Sequence, residues 1–161
     1  MVSGLLSDGA RLSLLPAVET PDWPDDWSDW GAVLPLAQTV GEVHRAMVLR
    51  EDRPVAVVTW HAVWYGPNLG SRAWNIGITV APEWRGCGVG SLAQAMLAEH
   101  LFATTDAQRV EASTDIANVA EQAALQRAGF EREGVLRRAQ FRTGGYHDLA
   151  VYAVLRPSPS G

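Results

Sequence analysis

Cysteine occurs once, at Cys87, in the 161 residues. No internal disulfide can therefore staple the fold, and a lone thiol suits a reducing, cytoplasmic setting. With that cysteine and four histidines, no spacing fits a zinc site, and no metal is expected. No apolar run reaches the roughly 20 residues of a membrane helix. The opening Met1-Val2-Ser3-Gly4 carries no secretory-leader pattern. Basic residues are outnumbered, 13 Lys and Arg against 18 Asp and Glu for a net charge of −5, which argues against a nonspecific phosphate-backbone binder. Neither nucleic acid nor membrane is expected as a partner. An acidic balance tilts toward a cationic partner such as an amine, although a solvated acidic surface is the plainer reading.

What remains is ordinary globular composition, with 47% hydrophobic and 19% charged residues, enough to bury a core in one domain. We expect that domain over residues 1–156, followed by a frayed tail at 157–161. Arg11–Leu15 alternates weakly and reads as a first strand. Trp23, Trp27 and Trp30 recur at helical spacing between Pro21 and Gly31, and Gly41–Ala46 reads as a second short helix or loop. Met47–Arg50 and Pro54–Trp60 flank Glu51-Asp52-Arg53 as a hairpin. Trp74–Val80 is a strand, Ser91–Phe102 a helix and Arg109–Ser113 a strand. Asn118–Ala128 is a helix closed by Gly129. Two strands, about Val135–Arg142 and Asp148–Leu155, form a terminal hairpin through Gly144-Gly145. The order describes a mixed α/β sheet.

Arg85-Gly86-Cys87-Gly88-Val89-Gly90 lies between the Trp74–Val80 strand and the helix beginning near Ser91. Alternating glycines let the chain turn sharply and aim backbone N–H groups at one centre. The helix adds its unpaired N-terminal amides and the positive end of its dipole. Arg85 brings a full charge, and the whole suits a pyrophosphate. No Lys-Ser or Lys-Thr follows, so this is not a Walker loop. The third glycine comes one residue too early for a dinucleotide turn. Cys87, at a helix N-terminus beside Arg85, could be a reactive thiolate, but a tolerated small turn residue is the plainer account.

Arg-x-x-Gly-x-Gly between a strand ending in Val-x-Pro and an amphipathic helix resembles the acetyl-CoA motif of the GNAT superfamily. Asn118 before a helix ending in Ala128-Gly129-Phe130 is similar to that superfamily's next motif. Gly134-Val135-Leu136-Arg137, Gly145-Tyr146-His147-Asp148 and Tyr152–Arg156 resemble the branch containing ribosomal-protein N-terminal acetyltransferases. The resemblance implies a mixed, mostly antiparallel sheet with a splayed central strand pair, flanked by about four helices. It also implies acetyl transfer from acetyl-CoA to a primary amine of a small molecule or peptide N-terminus. An acyl-CoA-binding sensor with little catalysis and a transferase of a longer acyl group such as succinyl are the alternatives.

Carried over by position, Ile78, Thr79 and Val80 would bond the pantetheine arm, with the Val80 N–H near the thioester carbonyl to stabilise an oxyanion. Arg85, Gly86, Cys87, Gly88, Val89, Gly90 and Ser91 would bind the pyrophosphate. Asn118 would reach the sulfur region, a plain helix cap being the other reading, and Arg127 would face the nucleotide end. The family's usual glutamate base matches Asn75, which can orient water but is no base. The family's tyrosine acid matches Leu125, which cannot act. Glu121 stands where some relatives carry serine; it could serve as the acid only with a raised pKa, and an outward, solvated side chain is the plainer expectation. Asp115, His61, His147 and Asp148 are further base candidates.

Seven tryptophans are present. Trp27, Trp30, Trp64 and Tyr146 are the candidate acceptor contacts, because aromatic faces hold cationic or apolar groups. Asp22, Asp25, Asp26 and Asp29 lie on the same stretch as the first two. Exposed strand edges would suit a homodimer.

Overall fold

The structure, a computed structural model, describes residues 2–17, 19–25, 27–31, 41–142 and 144–158. Asp26 and residues 159–161 of the expected tail fall outside them. In chain order the elements are β1 Val2–Leu5, β2 Arg11–Pro16, β3 Val43–Arg50, β4 Arg53–Trp64, β5 Arg72–Val80, α1 Val89–Thr104, β6 Arg109–Asp115, α2 Val119–Arg127, β7 Glu131–Arg142 and β8 Gly145–Leu155. The strands form one sheet in the order β1-β2-β3-β4-β5-β6-β8-β7. Each neighbouring pair is antiparallel except β5 and β6. The expected mixed sheet is present. Among the described residues, however, two α-helices and two single 3₁₀ turns, Leu69–Ser71 and Pro82–Trp84, stand in place of about four helices.

Two sequence expectations give way to stronger local physics. Residues 21–31 show no helix among those described. Pro24 has no N–H to give an interior helical bond. Asp25 instead accepts the Trp27 N–H on its carboxylate at 3.0 Å, while its carbonyl takes the Ser28 hydroxyl at 2.9 Å. Such side-chain bonds offer the backbone an alternative to a helix, so Trp23, Trp27 and Trp30 form no helical stripe. Gly41–Ala46 likewise runs into β3 from Val43, opposite His61–Val58 of β4. Cross-strand packing favours this: the His44 ring stacks on Trp60 with centroids 5.4 Å apart. The β3–β4 turn was legible. Glu51 and Asp52 take positive φ, 46° and 71°, as a two-residue hairpin turn requires.

Helix α1 covers one face of the sheet. Its Val89, Ala93, Met96, Leu97 and Leu101 are buried with Leu12, Leu14, Val48, Val58 and Ile76 in one core. The contact at β1 is close, since a Cβ on Gly4 would stand 3.0 Å from Leu92 Cδ1. Strand alternation then sorts β5. Trp74 and Ile76 are buried in the α1 core, with Ile78 and Val80 packed against it, so Asn75, Gly77 and Thr79 occupy the opposite face. That second face bears the polar cavity described below.

Leu97 is fully buried in α1. Leu97→Ala should cost about 2–5 kcal/mol, read as a lower urea midpoint at unchanged slope.

Candidate active site

Strand β5 ends at Val80, and the chain turns through Pro82–Trp84 into the glycine segment. Gly86 and Gly88 adopt φ of +75° and +81°, a region that costs a side-chain-bearing residue energy. Gly88 caps α1 without any side-chain hydrogen bond. The first amides of the helix therefore face outward without a side-chain acceptor, and they carry the positive end of the dipole. Two guanidinium groups stand at this end. Arg127 Nε lies 3.4 Å from Ser91 Oγ, which fixes it at the first turn of α1. Arg85 donates to Val80 O at 3.2 Å and to Pro24 O, tying segment 21–25 to the strand end and the turn. Cys87 is exposed, its Sγ 3.6 Å from Arg85 O. Open amides, left-handed glycines and two cations fit a pyrophosphate.

Upstream of this cradle the sheet opens. β5 pairs with β4 along its whole length, from Trp64↔Arg72 to Ala56↔Val80, and β6 pairs with β8 from Arg109 to Asp115. Between β5 and β6, only Trp74↔Val110 and Asn75↔Glu111 are paired. The two strands then part. The Ala81 N–H bonds Val55 O of β4, so by antiparallel alternation the main-chain groups of Ile78 and Val80 point away from β4, into the gap. Val80 O is met there by Arg85. The result is a slot with main-chain donors along one wall, leading back from the cradle to the fork.

At the fork lies a cavity of about 660 Å³, lined by Asn75 of β5, by Arg109, Glu111 and Ser113 of β6, and by Tyr65 and Glu133 with Gly134–Leu136. Glu111 is buried. Its Oε2 accepts the Tyr65 hydroxyl at 2.6 Å and Arg109 Nε at 2.8 Å. Arg109 also grips Glu133 with both terminal nitrogens, at 2.7 and 2.6 Å. Burial and then the Glu111 hydrogen bond push the Tyr65 hydroxyl pKa up, while the Arg109 bonds draw Glu133 down. Sequence reasoning named Asn75 but missed this carboxylate network. The available signal was Glu111 itself, a charge between Val110 and Ala112 in a central strand.

A second cluster joins the terminal hairpin to the N-terminal segment. Buried Arg142 bonds Asp29 at 2.7 Å, Asp115 through Nη2, and His147 Nδ1 at 2.9 Å. Its guanidinium lies 5.3 Å from the Trp27 ring centroid. Burial alone would raise the Asp115 pKa, but the Ala117 N–H, the Arg142 charge and the His147 bond outweigh it and lower the value. Asp115 is thus held as the ion partner of Arg142, with His147 Nδ1 2.8 Å from its Oδ2, and Asp148 accepts the Arg138 N–H at 2.7 Å. His61 sits opposite Asn75, with its pKa lowered by burial against the raising effect of Glu111.

Of the aromatic candidates, Trp27 reaches this cluster. Tyr146 packs edge-on against Phe141 at 5.1 Å and beneath Arg138 at 5.3 Å. Trp30 is exposed. Trp64 falls on the face of Val58 and Trp60 by strand alternation, opposite to Asn75, and is not brought to the fork. Trp23 and Thr79 line a smaller cavity of about 250 Å³.

On α2, Asn118 caps the helix by accepting the Glu121 N–H at 3.2 Å. Leu125 is fully buried. Glu121 corrects the expectation of an outward, solvated side chain. Burial raises its pKa to about 7, against a lowering hydrogen bond from Gln94 of α1. The sign follows by linkage: the folded state holds this proton more tightly than the unfolded chain. Glu121 therefore favours folding at pH below 4.5, and that contribution is lost as pH rises through about 7. Glu121→Gln should flatten the change in melting temperature between pH 4.5 and 8. Identical pH dependence in both proteins would return Glu121 to water.

Comparison with known proteins agrees with this geometry. The model of the acetyltransferase (GNAT) domain family matches residues 13–131. YdaF of Bacillus subtilis (strain 168), provisionally named a ribosomal N-acetyltransferase, is 30% identical over 86 residues, 53% of this chain and 47% of YdaF. The chain spans about half the length of the curated relatives it matches. Among solved structures, Mycobacterium smegmatis RimJ in complex with CoA-disulfide is similar, at a TM-score of 0.63 and 27% identity, with 71% of this chain and 54% of RimJ covered. RimL, a ribosomal L7/L12 alpha-N-protein acetyltransferase in complex with coenzyme A, gives 0.63 and 25%, with 74% and 65% covered. With the family model covering well over half of its residues, this chain belongs to the GNAT acetyltransferase family.

Proposed function

We propose that this chain transfers the acetyl group of acetyl-CoA to a primary amine, borne by a small molecule or a peptide N-terminus. The observation that carries the reading is the parting of β5 from β6 after two paired residues, just upstream of the α1 start, which Gly88 caps without a side-chain hydrogen bond. One continuous path then joins an anion cradle, a slot walled by main-chain donors and a polar cavity. Acetyl-CoA has the matching order of groups: pyrophosphate, amide-bearing arm, thioester. RimJ and RimL, solved with CoA-disulfide and coenzyme A, support the same donor.

In this reading the amides of Gly88–Ser91, with Arg85 and Arg127, hold the pyrophosphate. Ile78 and Val80 bond the pantetheine amides, and a main-chain N–H at the strand end stabilises the oxyanion, a contribution worth several kcal/mol in comparable sites (about 3–4). Asn75 orients the attacking nitrogen or a water beside it. Glu121, with a pKa raised to about 7, is protonated often enough near neutrality to donate to the departing thiolate. Arg109 is the cation among the described residues lining the cavity, and Glu111 and Glu133 engage it. A carboxylated acyl group such as succinyl therefore finds no cation to spare there, which favours acetyl. Residues 1–156 act as one catalytic domain, and the exposed, unpaired Cys87 suits the cytoplasm.

Acetyl-CoA should raise the melting temperature dose-dependently. Gly88→Val places a β-branched side chain at positive φ inside the cradle and should abolish that shift. A folded variant that binds CoA normally would remove the turn from the site. Asn75→Ala should lower turnover about tenfold, because positioning and the oxyanion contact remain. Thiol release measured with saturating amine checks this, and wild-type kinetics would exclude Asn75.

A further inference from the structure

We infer that Glu111 receives the acceptor's ammonium group and takes its proton, so that the acceptors of this enzyme are amines that arrive as cations. The inference rests on the acetyl-transfer reading above and assigns a residue and a substrate charge to it. Glu111 is 6% exposed, yet it lines the cavity at the fork. Both of its hydrogen bonds fall on Oε2, from Tyr65 and Arg109. No other donor among the described residues bonds the carboxylate, so Oε1 is the oxygen left for a ligand. Two carboxylates, Glu111 and Glu133, share one guanidinium. The cluster carries one formal net negative charge, and Glu111 is its buried member, where an added cation offsets the cost of burying that charge.

Register supplies the position. Asn75 and Glu111 are paired across the last bridge before β5 and β6 separate, so the carboxylate stands at the closed end of the slot. A thioester reaching that end meets an amine bound at Oε1. The proton given up by the ammonium passes to Glu111 and on to solvent. The freed lone pair of nitrogen forms the bond to the acetyl carbon. On collapse the carbon–sulfur bond breaks, its electron pair stays on sulfur, and the thiolate takes a proton to leave as CoA thiol. The proton remaining in excess on nitrogen is released, which leaves a neutral amide. Asn75 lacks the basicity for the first transfer, and Glu111 beside it provides the carboxylate.

The test compares two acceptors of equal size at pH 7, an alkylamine that is protonated and an alkoxyamine that is neutral. Glu111→Gln should lower kcat/KM for the alkylamine at least about 100-fold, with the alkoxyamine reduced no more than threefold. Its melting-temperature shift with acetyl-CoA should match wild type. Adding Asn75→Glu to Glu111→Gln returns a carboxylate to the same cavity from the neighbouring strand and should restore part of the alkylamine rate. Ser113→Lys places a cation at an exposed position on the cavity wall, so it bears on the inference even where Glu111→Gln fails to fold. It should suppress the alkylamine and spare the alkoxyamine. Equal losses for both acceptors in a variant that still binds acetyl-CoA overturn the assignment of Glu111. A wild-type protein that binds acetyl-CoA and acetylates neither acceptor overturns the acetyl-transfer reading, and this inference with it.

Discussion

The main-chain hydrogen bonds that β5 leaves unmade toward β6 govern this molecule. Backbone donors and acceptors inside a sheet are ordinarily paired, because an unpaired polar group away from water is costly. Here β5 keeps β4 along its full length and β6 keeps β8, but the two meet each other at only two residue pairs. Each strand is stable through its outer partner, so the seam between them can stay open without unravelling the sheet. The seam lies in the interior of the strand order, not at an edge. A ligand entering it therefore completes a ladder that the fold holds ready, much as an added strand would.

The elements on either side serve that opening. Helix α1 packs its buried face on β1, β2, β4 and β5, and its N-terminus stands at the mouth of the seam, where the dipole favours an anion. Two charge clusters line the second face along β6. Buried Glu111 joins Arg109 and the exposed Glu133 at the closed end of the seam, and buried Asp115 joins Arg142 and the exposed Asp29 four residues further along the strand. Both join segments far apart in sequence. Buried ion pairs are weak sources of stability but costly to break. They therefore hold the second face of the sheet in one arrangement, with Trp27 drawn against Arg142. The two faces differ accordingly: the α1 face is apolar and supplies stability, while the opposite face carries the charge clusters and the cavity.

Several features were legible before any coordinates. The glycine turn, the helix after it, the Asn118 cap and the Gly129 stop are written in local spacing, and each obeys backbone rules that act within a few residues. The mixed sheet with a splayed central pair followed from the resemblance those motifs carried. The reading of 21–31 as helical failed because spacing counts side chains and does not see that Pro24 withholds a donor and Asp25 binds its neighbours. The strand at Val43–Ala46 escaped notice because its partner lies across a turn in β4.

The sequence by itself determined the glycine turn at the start of α1, since alternating glycines, a helix start and a neighbouring cation are local features. It also determined the absence of a base at Asn75 and of a tyrosine acid at Leu125, which are matters of residue identity. Tertiary structure decided which carboxylates stand near the seam. Glu111 becomes chemically notable only once the connection after β4 delivers Tyr65 and β7 delivers Glu133 to the same cavity. The Glu121 pKa rises to about 7 only because packing half-buries it, against the lowering effect of Gln94 of α1. Desolvation and long-range charge pairing depend on which elements lie side by side, and no local spacing records that.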